Sequence, residues 1–80
     1  MFEMITGMLS EQLGIPQDMI GEESDLARDL GADSLDIVEI VMALEDAFSI
    51  TIPEGDYDAL SDVKNICDYI RTRLDDPEKI

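Results

Sequence analysis

The sequence predicts an all-α fold: a small four-helix bundle with three longer helices, one short third helix and a long first loop. Three observations carry that expectation. Apolar residues recur at helical spacing in three separate stretches, glycine and proline punctuate the gaps, and no β-branched run has a second segment to pair with. At 80 residues the chain holds one domain, because domains run from roughly 50 to 250 residues. Residues 1–75 are read as that domain and 76–80 as a flexible tail, since the closing DDPEKI should fray.

Residues 2–13 read as the first helix, with Phe2, Ile5, Leu9 and Leu13 on one stripe and Met8 beside it. Gly14 is its natural stop, Ile15 can fold back against it, and Pro16 forbids continuation. Gly7 costs this helix on the order of 1 kcal/mol relative to Ala, so it depends on tertiary packing. Residues 15–33 lack a long periodic stretch and form the loop, with Met19, Ile20, Leu26 and Leu30 expected to pin it to the core and a short helical turn possible over 25–30.

The strongest helix signal is SLDIVEIVMALEDAF, residues 34–48. Ile37, Ile40, Val41, Leu44 and Phe48 define an apolar face, and Asp36, Glu39, Ala43 and Asp46 define another. Leu35, Val38 and Met42 lie between the two. Pattern alone allows a broad core stripe or a partly exposed docking surface there; the core face is already filled, which favours exposure. ITIP at 50–53 is too short for a strand, and Pro53 opens a short helical turn through EGDYDAL. Ser61 is read as the cap of a last helix carrying Val63, Ile66, Cys67, Ile70 and Leu74, with Arg71 and Arg73 near its negative end.

Composition narrows the function. The apolar fraction is 45%, with four aromatics (Phe2, Phe48, Tyr57, Tyr69) and five Met, a mixture suited to a soft aliphatic core. Net charge is −15, and ten carboxylates lie between Arg28 and Lys64 without a cation. That stretch repels phosphate backbones, so nucleic acid is not an expected partner. It steers basic protein patches toward itself, although an acidic surface that merely aids solubility has the same composition. The single Cys67 and the absence of His exclude an intramolecular disulfide, a multi-thiolate zinc site and a Cys-His pair, leaving a buried structural thiol. Glu3 stands where a signal peptide needs a cation, and no apolar run approaches the roughly 20 residues that span a bilayer, so a cytoplasmic protein without membrane insertion is expected.

Ser34 is the residue placed for chemistry. It follows the Gly-containing LGAD and opens the best helix, where unpaired N–H groups and the positive end of the macrodipole favour an anion attached to its oxygen. On position alone, Ser34 or Asp33 could equally be an N-cap contributing about 1 kcal/mol. The surrounding residues decide. The segment DLGADSLDIVEIVMALEDAFSITIP, residues 29–53, closely resembles the phosphopantetheine attachment region of bacterial acyl carrier proteins of the type II fatty-acid synthesis kind. The D-S-L triplet, Asp33 to Leu35, is the heart of that pattern, and EQLG at 11–14 is similar to the end of the family's first helix.

The resemblance implies that a phosphopantetheinyl transferase attaches phosphopantetheine from coenzyme A to Ser34, and that acyl chains ride on its terminal thiol. It implies that Asp33 and Asp36 help bind the transferase. Leu35, Val38, Glu39, Met42, Glu45 and Asp46 match docking positions for fatty-acid synthesis enzymes with basic patches, and Ile52, Glu54 and Asp56 are candidates beside them. It further implies a monomer whose core admits the acyl chain between the helices. Gly7 and Gly55 stand where the family has better helix formers.

Other functions rank lower. Polyketide, aminoacyl or D-alanyl cargo would suit the same carrier, with the acidic second helix favouring fatty acids. An acidic calcium-binding protein fails at the loop: placing Gly31 sixth in an EF-hand starts it at Leu26, which offers no ligand. An enzyme would need a base near Ser34, and without His the nearest Lys in sequence is Lys64. The chain is read as a non-enzyme with no metal site.

Overall fold

In the computed structural model, which describes residues 1–74, the chain folds into helices α1 (Phe2–Leu13), α2 (Ser34–Phe48) and α3 (Val63–Leu74). A 3₁₀ turn at Gln17–Met19 and a 3₁₀ helix at Glu54–Leu60 complete it. The all-α bundle, with its short third helix, is the architecture expected from periodicity. The proposed tail, residues 76–80, lies outside the described residues.

One apolar cluster sits where the three α-helices meet. Ile5 and Leu9 enter from α1, Ile40, Val41 and Leu44 from α2, and Val63, Ile66, Cys67 and Ile70 from α3. These are the stripe positions read from spacing, because residues three and four apart share one helical face. The ends of the expected stripes behave differently: Phe2 and Leu74 are exposed. The core is also less methionine-rich than composition suggests. Only Met8 packs against it, while Met1, Met4, Met19 and Met42 are exposed.

The helix ends follow local chemistry. Gly14 stops α1 in the left-handed region at φ 68°, donating its N–H to the Ser10 carbonyl. Ser49 does the same for α2 at φ 55°, although a side chain is disfavoured there. The cap of α3 differs from the expectation. Asp62, not Ser61, accepts the Asn65 N–H at 2.8 Å, because it directly precedes the first helical residue, and a carboxylate suits a helix N-terminus.

The long first loop is better ordered than its sequence signals. Ile20 and Leu26 are buried and Leu30 is half-buried, but Met19 is 69% exposed and pins nothing. The 3₁₀ turn holds residue 19 on the outside, while Gln17 reaches back to α1 with bonds to the Glu3 carbonyl and the Thr6 hydroxyl. At 25–30 there is a turn rather than a helix: the Asp25 carbonyl accepts from Asp29 and Leu30. Backbone bonds from Leu26 to Ser61, Val63 to Ser24 and Lys64 to Glu22 then stitch the loop to the start of α3. This seam has no periodic signature, so spacing gave no sign of it.

Two stability outcomes follow. Asp62→Ala should lower the unfolding free energy by about 0.5–2 kcal/mol, with Ser61→Ala changing it by less than about 0.5 kcal/mol, in urea unfolding followed by circular dichroism. Ser49→Gly should raise it by about 0.5–1 kcal/mol, by relieving the left-handed side chain at the end of α2.

Candidate functional site

The N-terminus of α2 is built by two aspartates acting on one another. Asp33, extended at φ −97° and ψ −175°, accepts the Asp36 N–H at 2.9 Å. Asp36 returns a carboxylate oxygen to the Asp33 N–H at 3.2 Å. This reciprocal pair satisfies donors that would otherwise be orphaned at the helix start. Gly31, at φ 73°, supplies the left-handed turn that brings the loop into this geometry.

The pairing resolves which residue is the cap. Asp33 caps, so Ser34 at the first helical position is free of that duty. Ser34 is exposed, and among the described residues its Oγ makes no hydrogen bond. A primary hydroxyl in that setting can accept a phosphodiester, with free N–H groups of the first turn and the positive helix end beside the added anion. Nothing bonded to the hydroxyl acts as a general base, so activation would have to come from another protein. The residues present fit a phosphopantetheine ester: the oxygen is accessible, unbonded and backed by a rigid turn.

Leu35, Val38 and Met42 form a strip on the outside of α2, at 65%, 39% and 58% exposure. Asp33, Glu39 and Asp46 are exposed near it and Asp36 is half-buried. Glu39 also accepts a bond from Gln12 of α1 at 3.2 Å. The intermediate face of α2 is therefore open, the alternative favoured by the crowded core.

Three other candidates have different surroundings. Ile52 is 3% exposed and belongs to the core, so it offers no docking surface. Glu45 is half-buried and spends one oxygen on the Ile52 N–H at 2.8 Å, holding the chain that leaves α2. Asp56 accepts from the Tyr69 hydroxyl at 2.7 Å and from Arg73 at 3.2 Å, so its charge is engaged within the fold. Glu54 is exposed.

Some features had no sequence signal. An open cavity of about 200 Å³ lies beside the start of α2, lined by Asp25, Leu26, Ala27, Ile37, Tyr57, Asp58, Leu60 and Ser61. Ile37 is one helical turn from Ser34 and on the same side of α2, so the cavity and the hydroxyl share one end of the bundle. Tyr69 and Arg73, four apart on α3, also join the picture; their spacing was visible but their partner Asp56 was not. Cys67 is buried, and burial pushes its thiol pKa up, despite the opposing charge of Arg71. Among the described residues, no group of three or more His, Cys, Asp or Glu is arranged to hold a metal ion, and no helix is long and apolar enough to cross a membrane.

Comparison with known proteins agrees with this geometry. The family described as phosphopantetheine attachment site matches residues 3–70. An acyl carrier protein of Syntrophobacter fumaroxidans is 47% identical over 66 residues, covering 82% of each chain. One from Guillardia theta is 41% identical over 73 residues, covering 91% of this chain and 90% of the relative. Another, from Campylobacter jejuni subsp. doylei, is 42% identical over 69 residues, covering 86% and 90% respectively. A match spanning all three α-helices, together with an unencumbered serine at the tip of α2, means that this chain belongs to the acyl carrier protein family, whose cofactor is phosphopantetheine.

Proposed function

We propose that the chain, residues 1–75 as its working domain, is a non-catalytic cytoplasmic carrier. Phosphopantetheine is esterified to Ser34, and fatty-acid synthesis enzymes act on the acyl chain held at its thiol. The observation that carries the reading is the division of labour between Asp33 and Ser34: one satisfies the helix, the other keeps a free hydroxyl. When bound, the group supplies a thiol at the end of a flexible arm.

The residues of the chain do the rest. The rigid turn at Gly31 and the capped helix present Ser34 Oγ in one orientation to a phosphopantetheinyl transferase. Asp33, Asp36, Glu39, Asp46 and Glu54 supply a negative field that attracts the basic docking patches of partner enzymes and orients them. Leu35, Val38 and Met42 then give a small apolar contact, with Met42 able to adjust its shape to different partners. Such rim charges raise arrival rate more than affinity, which suits a carrier that must also leave. Ile52, Glu45 and Asp56 contribute chiefly by holding the fold. The cavity beside Ile37 has an apolar side made by Leu26, Ala27, Ile37 and Leu60 and a polar side with Asp25, Asp58 and Ser61; it lies at the same end as Ser34, which makes its apolar side the place where the first carbons of an acyl chain would shelter.

Incubation with coenzyme A and a broad-specificity transferase should add one phosphopantetheinyl group by intact mass, and Ser34→Ala should stay unmodified; modification that persists in the variant overturns the site. The added thiol should react with iodoacetamide in the native protein, whereas buried Cys67 should react only after unfolding.

Glu39→Lys combined with Asp46→Lys should slow association with a partner enzyme on the order of tenfold at low salt, while leaving the helical circular dichroism intact. The difference should shrink as salt is raised. Equal association rates in stopped-flow at low salt would remove the electrostatic part of the proposal.

A further inference from the structure

Neither α1 nor α2 carries a cation: the charged residues of FEMITGMLSEQL and SLDIVEIVMALEDAF are all acids. On α1, Met4, Met8 and Glu11 follow at steps of four and three, which places them on one side of the helix. Met1 accepts the Ile5 N–H and so continues the helix by one residue. Positions 1, 4 and 8 then form a single row at coiled-coil spacing. Met1 and Met4 are 42% and 48% exposed and Met8 is half-buried, while Ile5 and Leu9 on the adjacent side fill the core. The core is complete without Met1 and Met4.

The row runs along the junction with α2. Gln12 donates to Glu39, which fixes the last turn of α1 beside the first half of α2. Because α1 packs on α2, its earlier turns must run beside the later turns of that helix. Two rows in steps of four therefore lie side by side: Gln12, Met8 and Met4 on α1, and Glu39, Ala43 and Ala47 on α2. Ala43 is half-buried and Ala47 exposed, so small side chains keep the α2 bank low. The other flank of α1 is occupied. Gln17 lies over Gly7, 3.6 Å from where a Cβ would stand, and bonds the Glu3 carbonyl and the Thr6 hydroxyl. Met19 follows Gln17 on that flank.

We propose that the row Met1, Met4 and Met8, with Ala47 beside it and Glu11 and Asp46 at its borders, is a second docking surface, and that its occupant is a basic amphipathic helix of another protein. The apolar face of such a helix would rest on the methionines, whose unbranched side chains adapt to a guest. Its lysines and arginines would meet the bordering acids. Charge decides between the possible occupants. A second copy of this chain brings a further −15, and an anionic membrane surface is repelled in the same way. Counted at about 1.5 Å per helical residue, Met4 stands about 20 Å from Ser34 along the bundle. A partner seated there leaves the Ser34 hydroxyl uncovered, so the inference goes beyond the carrier reading and does not need the modification.

The test uses the full unmodified chain with its methionine methyl groups labelled with carbon-13, titrated with a short helical peptide of leucines and lysines in amphipathic order. The methyl signals of Met4 and Met8 should shift together and saturate, and that of Met19 should stay in place. Met4→Gln should weaken peptide binding about fivefold by removing apolar contact, whereas Met19→Gln should change it less than about twofold. Shifts confined to Met42 would place the peptide on the outer strip of α2 and overturn the proposal, as would equal shifts at all five methionines, the mark of unspecific attraction. A Met4 signal that moves when the protein alone is concentrated assigns the surface to a second copy, and one that moves with phosphatidylcholine vesicles but not with the peptide assigns it to lipid; either overturns the proposal. Should Met4→Gln fail to fold, the pattern of shifts in the unaltered protein decides. Failure of the carrier reading shows itself separately, as a protein that never gains the phosphopantetheinyl mass.

Discussion

The reciprocal hydrogen bonds between Asp33 and Asp36 are the constraint on which the site depends. A helix start must find partners for its first N–H groups, and serine is ordinarily a good supplier. Here the aspartates meet that demand from either side of Ser34. The serine is left with a rigid backbone and an idle side chain, a combination that a surface loop would not provide.

The same economy governs the acids farther along. Of the carboxylates expected to meet partners, Glu39 and Asp46 remain on the surface, while Glu45 holds the chain at Ile52 and Asp56 is bound to Tyr69 and Arg73. A high negative charge opposes compaction through self-repulsion. Part of that charge is used to tie the 3₁₀ helix and its approach to the longer helices, where hydrogen bonds to an ionised group are stronger than neutral ones.

Much of this was legible from residue spacing. The bounds of α1 and α2 follow from periodicity ending at Gly14 and beginning after the Gly-containing LGAD, and the buried members of each stripe came with them. The importance of Ser34 rested on a motif, because position alone left it level with Asp33. What spacing missed was non-local. The choice of Asp62 over Ser61 turns on which residue directly precedes the helix. Burial of Ile52 depends on how the chain leaves α2, and exposure of Met19 on a three-residue 3₁₀ turn. The cavity arises from three segments meeting, which no periodicity within one of them records.

The backbone seam between the loop and the start of α3 has a mechanical meaning. With Leu26 bonded to Ser61, the stretch between them, α2 included, is a ring closed by main-chain bonds. The loop before α2 and the 3₁₀ helix after it thus share one anchor at the start of α3.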